Sequence, residues 1–255
     1  SGPIDADPSR RIKTMKISQI IVNKIDRLPN GYIFTYKDFS SSVNNKEAVI
    51  KALNRLVAKG KINKISKGKF YKPESTIFGE ILPNQYQLVK DLLEDDNKII
   101  GYLTGYSIYN SFGLTTQVSN TIQIGKNNIR PNLKRERYVI NFIKQPNIIN
   151  KENIPYLQFL DCLKLIKKIP DTTINKSSER FIAILSDYKL KDIKQLVRLV
   201  QKYPPSTRAL LGAILDELQL EKFSETILKS LNPITKYKFM GVENSLTKSK
   251  KWNLI

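Results

Sequence analysis

Apolar residues recur along this chain with a period that changes from segment to segment, and each change marks an element. Ile17, Ile20, Ile21, Ile25 and Leu28 return every three or four residues, which predicts a helix stopped by Pro29-Asn30-Gly31. Tyr32-Ile33-Phe34 predicts a short extended piece, and Thr35 with Asp38 a capping box that opens a short helix through Phe39 and Ser41. Val49, Ala52, Leu53, Leu56 and Val57 then form one apolar stripe covering about two-fifths of a helical wheel. Glu47, Lys51, Asn54, Arg55 and Ala58 lie opposite it. Asn44 followed by Glu47 is a capping-box-like start, and Gly60 suits the left-handed position just past the helix end. Lys61 to Tyr71 reads as a basic β-hairpin turning at Gly68. Helix, short strand, helix, turn, helix, hairpin is the order of a winged helix-turn-helix, expected over residues 15–75.

The pattern then loosens. Ser75 to Asn84 reads as a linker with a short strand at Ile77 to Leu82, followed by a helix from Gln85 to Glu94 and an acidic loop, Glu94-Asp95-Asp96-Asn97. Ile99 to Asn110 predicts a strand running into a helix, Thr121 to Ile124 a strand, Gly125 to Asn128 a turn, and further strands extend to about Ile143. Helical spacing takes over at Ile154 to Ile169, Ser177 to Tyr188, Leu190 to Val200 and Ser206 to Leu218. The expected class is α+β: an N-terminal winged helix-turn-helix, then a mixed α+β domain with a helical C-terminal part at 76–220. A basic C-terminal extension at 221–255 carries Lys248, Lys250 and Lys251. Residues 1–14 hold two prolines and no periodicity, and read as a flexible arm or expression scar before Met15; in a native arm, Arg10, Arg11 and Lys13 would bring charge to phosphates.

Composition sharpens this. No run approaches the ~18 uninterrupted apolar residues of a membrane span, and no signal peptide is visible, so a cytoplasmic protein without a membrane partner is expected. The net charge is +20, and it is concentrated: residues 9–73 hold 16 Lys and Arg against three acids, Asp26, Asp38 and Glu47. Positive charge gathered on a compact domain calls for a polyanion, here double-stranded DNA. Lys51, Asn54 and Arg55 are placed to reach base edges, since Asn pairs with adenine and Arg with guanine. Lys46, near the helix N-terminus, suits phosphate. Lys64, Ser66, Lys67 and Lys69 flank Gly68 and make a basic wing tip.

Enzymatic chemistry finds little support. The absence of histidine, with Cys162 as the single cysteine, removes Ser-His-Asp and Cys-His schemes and zinc sites built from Cys and His. Cys162 falls among Phe159, Leu163 and Ile166, the place of a buried filler. Pro170-Asp171 with Asp187-Tyr188-Lys189 satisfies the loose pattern of a magnesium-dependent PD-(D/E)xK nuclease, which would need those residues on adjacent strands, whereas the stretch reads helical. Glu94-Asp95-Asp96 reads as a solvated loop or a cation ligand set, and Gly101 to Gly105 lacks the Gly-Lys-Ser/Thr of a phosphate loop. Tyr102, Tyr106 and Tyr109 have the spacing of core packing, with a partner groove as the alternative. Neither an enzymatic activity nor a cofactor is expected.

The chain resembles the AbiEi-type antitoxins and transcriptional regulators of bacterial toxin–antitoxin (abortive infection) systems. The resemblance rests on Leu28-Pro29-Asn30-Gly31, Phe34-Thr35, Asp38-Phe39, Ala52-Leu53-Asn54-Arg55-Leu56, Gly60 and Tyr71. In the second half it rests on Tyr102-Leu103-Thr104-Gly105, Phe112 to Val118, Asn120-Thr121 and Ala209-Leu210-Leu211-Gly212. It spans about 15–219 and implies an N-terminal winged helix that represses the system's own promoter, with Lys51, Asn54 and Arg55 on the operator-facing helix. It also implies a second domain that counters a nucleotidyltransferase-type toxin, directly or indirectly, with the cognate toxin or its target as a candidate partner. A winged helix serving only protein contacts is the remaining alternative.

Overall fold

The protein's structure, a computed structural model, describes residues 16–255 apart from 77, 78, 82, 83 and 97, with the backbone alone at 74–76 and 79–81. The proposed arm at 1–14 and Met15 lie outside the described residues. The fold is mixed α+β, with eight α-helices and several small sheets among the described residues, and the chain divides into two compact units, 1–88 and 89–255.

In the first unit α1 (Ile17–Asp26) leads to β1 (Ile33–Thr35), a turn of 3-10 helix at Tyr36–Phe39, α2 (Lys46–Ala58), and the hairpin β2 (Asn63–Ser66) and β3 (Lys69–Tyr71). The expected capping box is present: the Thr35 backbone N–H donates to Asp38 at 2.7 Å and the Thr35 hydroxyl accepts from the Lys37 N–H at 3.2 Å. The sheet runs β1-β3-β2, all antiparallel, because the chain returns through the hairpin and lays β3 against β1, pairing Phe34 with Phe70. Ile21, Ile25, Phe34, Phe39, Val43, Val49, Leu53, Leu56, Ile62 and Phe70 close over one core. Lys72 ties the hairpin back to the end of α1 by donating to the Asp26 carbonyl at 3.1 Å. A further short hairpin pairs β4 (Glu74–Thr76) with β5 (Gly79–Ile81); the strand expected at Ile77 to Leu82 is described only at 79–81. The division between units falls within α3 (Gln85–Leu93).

In the second unit β6 (Glu94–Asp95) and β7 (Lys98–Ile99) form a small hairpin, so the expected acidic loop is in part paired backbone. A four-stranded sheet follows, built from β8 (Tyr102–Thr104), β9 (Thr121–Lys126), β10 (Leu133–Arg135) and β11 (Tyr138–Lys144) in the order β10-β11-β9-β8. Only β9 and β11 are parallel, and the excursion through β10 makes that possible without a helical crossover. Gly125 is inside β9 rather than in the expected turn. It pairs with Tyr102, and a Cβ there would sit 2.4 Å from the tyrosine ring, so the missing side chain is what lets the ring lie across the strand.

That placement aims the Tyr102 hydroxyl at Asp161, to which it donates at 2.6 Å. Thr104 donates to the same carboxyl at 2.8 Å and Tyr203 at 2.8 Å, while Gln145 donates to both tyrosine oxygens at 2.8 Å. Burial pushes the Asp161 carboxyl upward against these three donors, and it lifts both tyrosine hydroxyls far above their usual range. A polar knot thus joins β8, the end of β11, α4 (Ile154–Lys164) and the segment after α6 (Leu190–Val200). α5 (Ile174–Ser186) lies between those helices in the chain, and α7 (Pro205–Glu217) is the central helix, buried on nearly every side.

The basic C-terminal segment belongs to this same core. α8 (Glu221–Leu228) packs on α7, and the chain end returns so that Trp252 covers Gly212, where a Cβ would stand 2.1 Å from the indole ring. The Trp252 indole N–H donates to Asp216 at 2.9 Å, Lys251 pairs with the same carboxylate at 2.6 Å, and Ser224 donates to its other oxygen. Burial alone would raise the Asp216 carboxyl, but Lys251, Ser224 and Trp252 outweigh it and hold it below the usual carboxylate range. A folded value below the unfolded one means that the stabilisation is complete above the ordinary carboxylate range and is lost as pH falls through the lower folded value. Trp252 is the chain's one tryptophan, so its emission follows this unit alone. Asp216→Asn is expected to lower stability at neutral pH by about 1–3 kcal/mol in urea unfolding followed by tryptophan emission. The gap between the two proteins should close as the pH is taken below the carboxylate range; a gap unchanged with pH would contradict this assignment.

Candidate nucleic-acid interface

The orientation of α2 decides which side chains it presents. Val49, Ala52, Leu53 and Leu56 are buried, and they leave Glu47, Lys51, Asn54, Arg55 and Ala58 exposed on the opposite side. The helix begins one residue later than the spacing of Asn44 and Glu47 implies. Asn45, extended at φ −128°, is the cap, its side-chain oxygen accepting from the Ala48 N–H at 3.0 Å, and no capping box forms with Glu47. Either asparagine could cap chemically; the buried Val43 and Val49 on either side of the turn fix which one does. The far end is closed as expected. Gly60 is left-handed at φ +65°, the Gly60 N–H donates to the Val57 carbonyl at 2.9 Å and the Lys61 N–H to Leu56 at 3.0 Å, the paired bonds of a Schellman motif.

Lys51, Asn54 and Arg55 therefore share one exposed helical face. Lys46 stands at the first position of α2 with its ammonium 4.7 Å from the centre of the Tyr36 ring, a cation–π contact that holds the charge at the start of the helix. On the hairpin, Lys64 and Lys67 are exposed and Gly68 turns the chain at φ +76°. An irregularity between Lys64 and Ser66 sends Ile65 inward, and Ser66 and Lys69 are half-buried, so they offer less of themselves to a ligand than Lys64 and Lys67 do.

Two cations were not among the expected site residues. A cleft of about 210 Å³ between α1 and α2 is lined by the apolar Val22, Ala52 and Leu56 and by Ser18, Gln19, Arg55, Lys59 and Lys61. Arg55 thus borders both the outer face of α2 and a recess that it shares with Lys59 and Lys61. The signal was present in the sequence: Lys59 is four residues beyond Arg55, and Lys61 follows the glycine that ends the helix. The arrangement suits a phosphate oxygen held by two or three cations, with polar Ser18 and Gln19 on the opposite wall.

The other candidate chemistries are placed differently. Asp171 is in a turn at φ +53°, Asp187 ends α5 and Lys189 precedes α6, so none of the three is on a strand, as the nuclease pattern would need. Cys162 is fully buried and its thiol is pushed up by burial, which leaves it protonated filler. Tyr102 and Tyr109 are in the core, and Tyr106 stacks edge-on against Tyr109 at 5.5 Å. Among the described residues, no cluster of three or more His, Cys, Asp or Glu side chains could hold a metal ion, and no helix is long and apolar enough to cross a membrane.

Comparisons with known proteins bear on the fold. The family model of DUF6088, a family of unknown function, matches residues 20–193. No curated protein matches the chain. The crystal structure of the RV2827C protein from Mycobacterium tuberculosis is similar over 93% of this chain and 89% of that one, with a TM-score of 0.63 and 13% sequence identity. At that identity the likeness is one of fold.

Proposed function

We propose that this chain, which belongs to the family DUF6088, is a DNA-binding regulator whose first unit acts as a winged helix and which serves as an autorepressing antitoxin. The observation carrying the DNA-binding part is the outward face of α2, where Lys51, Asn54 and Arg55 stand clear of the core beside the Arg55-Lys59-Lys61 cleft. In this reading α2 enters the major groove, and Asn54 and Arg55 meet base edges. Lys46, Lys59 and Lys61 hold phosphates, while Lys64, Ser66, Lys67 and Lys69 bring the hairpin against the neighbouring backbone or minor groove. Glu47, on the same face, accepts only from a donor such as the cytosine amino group and repels phosphate, so it narrows the sequences tolerated. The protein itself performs no chemistry in this account.

The DNA-binding part is tested by fluorescence anisotropy with the full chain and a duplex taken from upstream of its own reading frame. Affinity is expected to fall by about three decades between low and moderate salt if some six phosphates are contacted. Lys51→Ala/Arg55→Ala should weaken binding by about tenfold or more. Both residues are exposed, so thermal unfolding should be unchanged. Equal binding by wild type and the double variant would remove α2 from the interface.

The antitoxin part rests on the resemblance carried by the first-unit motifs and by Tyr102-Leu103-Thr104-Gly105 and Ala209-Leu210-Leu211-Gly212. In the second unit these motifs fall at the Tyr102–Asp161 hydrogen bond and at the Gly212–Trp252 contact. Where a nucleotidyltransferase-like reading frame lies beside this one, co-expression of the chain should restore growth that the neighbour arrests. Unrelieved arrest, with the chain present and folded, would refute the antitoxin role while leaving DNA binding standing.

A further inference from the structure

The second unit carries a surface that the DNA-binding reading does not use. α6 and α8 pack side by side and leave an open groove of about 670 Å³ between them. Its apolar floor is Val197 and the half-buried Phe223, with Thr226 at one side. Its borders are cationic: Lys191, Lys194 and Arg198 succeed one another along α6 at intervals of three and four residues, and Lys222 faces them from α8. The α6 border runs from Lys191 to Gln201, about 15 Å at 1.5 Å per residue, or roughly three helical turns.

These charges are only partly offset by the acids nearby: Asp192, whose carboxyl is lowered first by the Tyr156 hydroxyl, is lowered also by Lys191. Among the described ion pairs, none includes Lys191, Lys194, Arg198 or Lys222. Asp192 is held by the Tyr156 hydroxyl at 2.6 Å and Glu221 by Lys248 at 2.9 Å, while Glu225, exposed on α8, is not part of the lining. Arg198 donates from Nε to Gln195 at 3.1 Å and keeps its charge. An apolar floor between a row of three cations on α6 and Lys222 on α8 is the complement of an amphipathic helix whose apolar stripe is bordered by carboxylates. A second copy of this chain is a poor occupant, since each copy carries +20. A nucleic-acid strand is also poorly served, because Phe223 is the one aromatic residue in the lining and successive bases need successive stacking platforms.

We propose that the α6–α8 groove docks an acidic amphipathic helix of a partner protein, with the partner's apolar stripe on Val197 and Phe223 and its carboxylates on Lys191, Lys194, Arg198 and Lys222. The site is separate from the first unit, so its test stands apart from the test of DNA binding.

The probe is a fluorescein-labelled synthetic peptide of about 18 residues, long enough for helix to form on contact, with leucines at helical spacing flanked by glutamates. Its binding to the full chain is read by anisotropy at about 0.15 M salt, where bare surface attraction is largely screened. Controls are a scrambled peptide of the same composition and a single-stranded oligonucleotide. The wild type should bind the patterned peptide and discriminate against the scrambled one. Lys194→Glu/Arg198→Glu should weaken binding by about tenfold or more, and a peptide with lysine in place of glutamate should recover it on that variant. Thr226→Trp, which fills the groove and leaves every charge in place, should weaken it to a similar degree. Tryptophan emission of the charge variant and unfolding curves of both variants check that the unit is folded. No binding at millimolar peptide, equal binding of the scrambled peptide, or unaltered affinity in both variants would overturn the proposal. So would an oligonucleotide whose affinity, rather than the peptide's, fell in both variants, which would make the groove a nucleic-acid site.

Discussion

The rotation of α2 about its own axis is the constraint on which the first unit depends. Val49, Leu53 and Leu56 each contribute about 1.5–3 kcal/mol by leaving water, so a turn of one residue step would forfeit several kcal/mol. Asn45 at one end and the Schellman pair at Gly60 at the other set where the helix starts and stops, and with the buried stripe they fix the direction of each outer side chain. Lys51, Asn54 and Arg55 are therefore presented from a fixed backbone, and only their exposed side chains have to order on contact. The same core carries Phe70 of the hairpin, so the basic turn at Lys67-Gly68 is anchored by the packing that anchors α2.

The second unit is held by a different kind of interaction. Asp161 and Asp216 are buried carboxyls, and each collects at least three donors from segments far apart in the chain. Such groups are costly unless satisfied, so they specify which segments meet: β8 with α4 and Tyr203 in one case, α7 with α8 and the chain end in the other. The surface ion pair Lys248–Glu221 adds little beside them, since both partners are nearly half exposed. Lys251 serves the Asp216 cluster, which leaves the α6–α8 groove as a basic surface free of such duties.

The local pattern carried most of the first unit into view. The helices at Ile17 and Val49, the Thr35–Asp38 capping box, the glycine stop and the hairpin all depend on residues close in sequence, and there periodicity and capping chemistry suffice. The cap at Asn45 was displaced by one position because two adjacent asparagines have the same chemistry and only the core chooses between them. Gly125 read as a turn because a glycine beside Lys126-Asn127-Asn128 has that local signature; its place in β9 is dictated by Tyr102, across the sheet. The end of the chain read as a basic extension for the same reason. Trp252, Phe239 and Tyr237 have no short period, and their partners are on α7 and in the segments around it. Of the candidate site, the outer face of α2 followed from helical spacing and the basic hairpin from its turn at Gly68, whereas the recess that joins Arg55 to Lys59 and Lys61 needed α1 to be placed alongside.

The claim that α2 and the hairpin are what the protein offers to DNA is tested most directly by mapping where DNA touches the full chain. A promoter duplex with bromodeoxyuridine in place of thymidine is crosslinked by ultraviolet light, and the attached peptides are identified by mass spectrometry. Crosslinks are predicted on the outer face of α2 and on the hairpin, within residues 46–72. Crosslinks confined to residues 89–255, with none on α2 or the hairpin, would contradict the account.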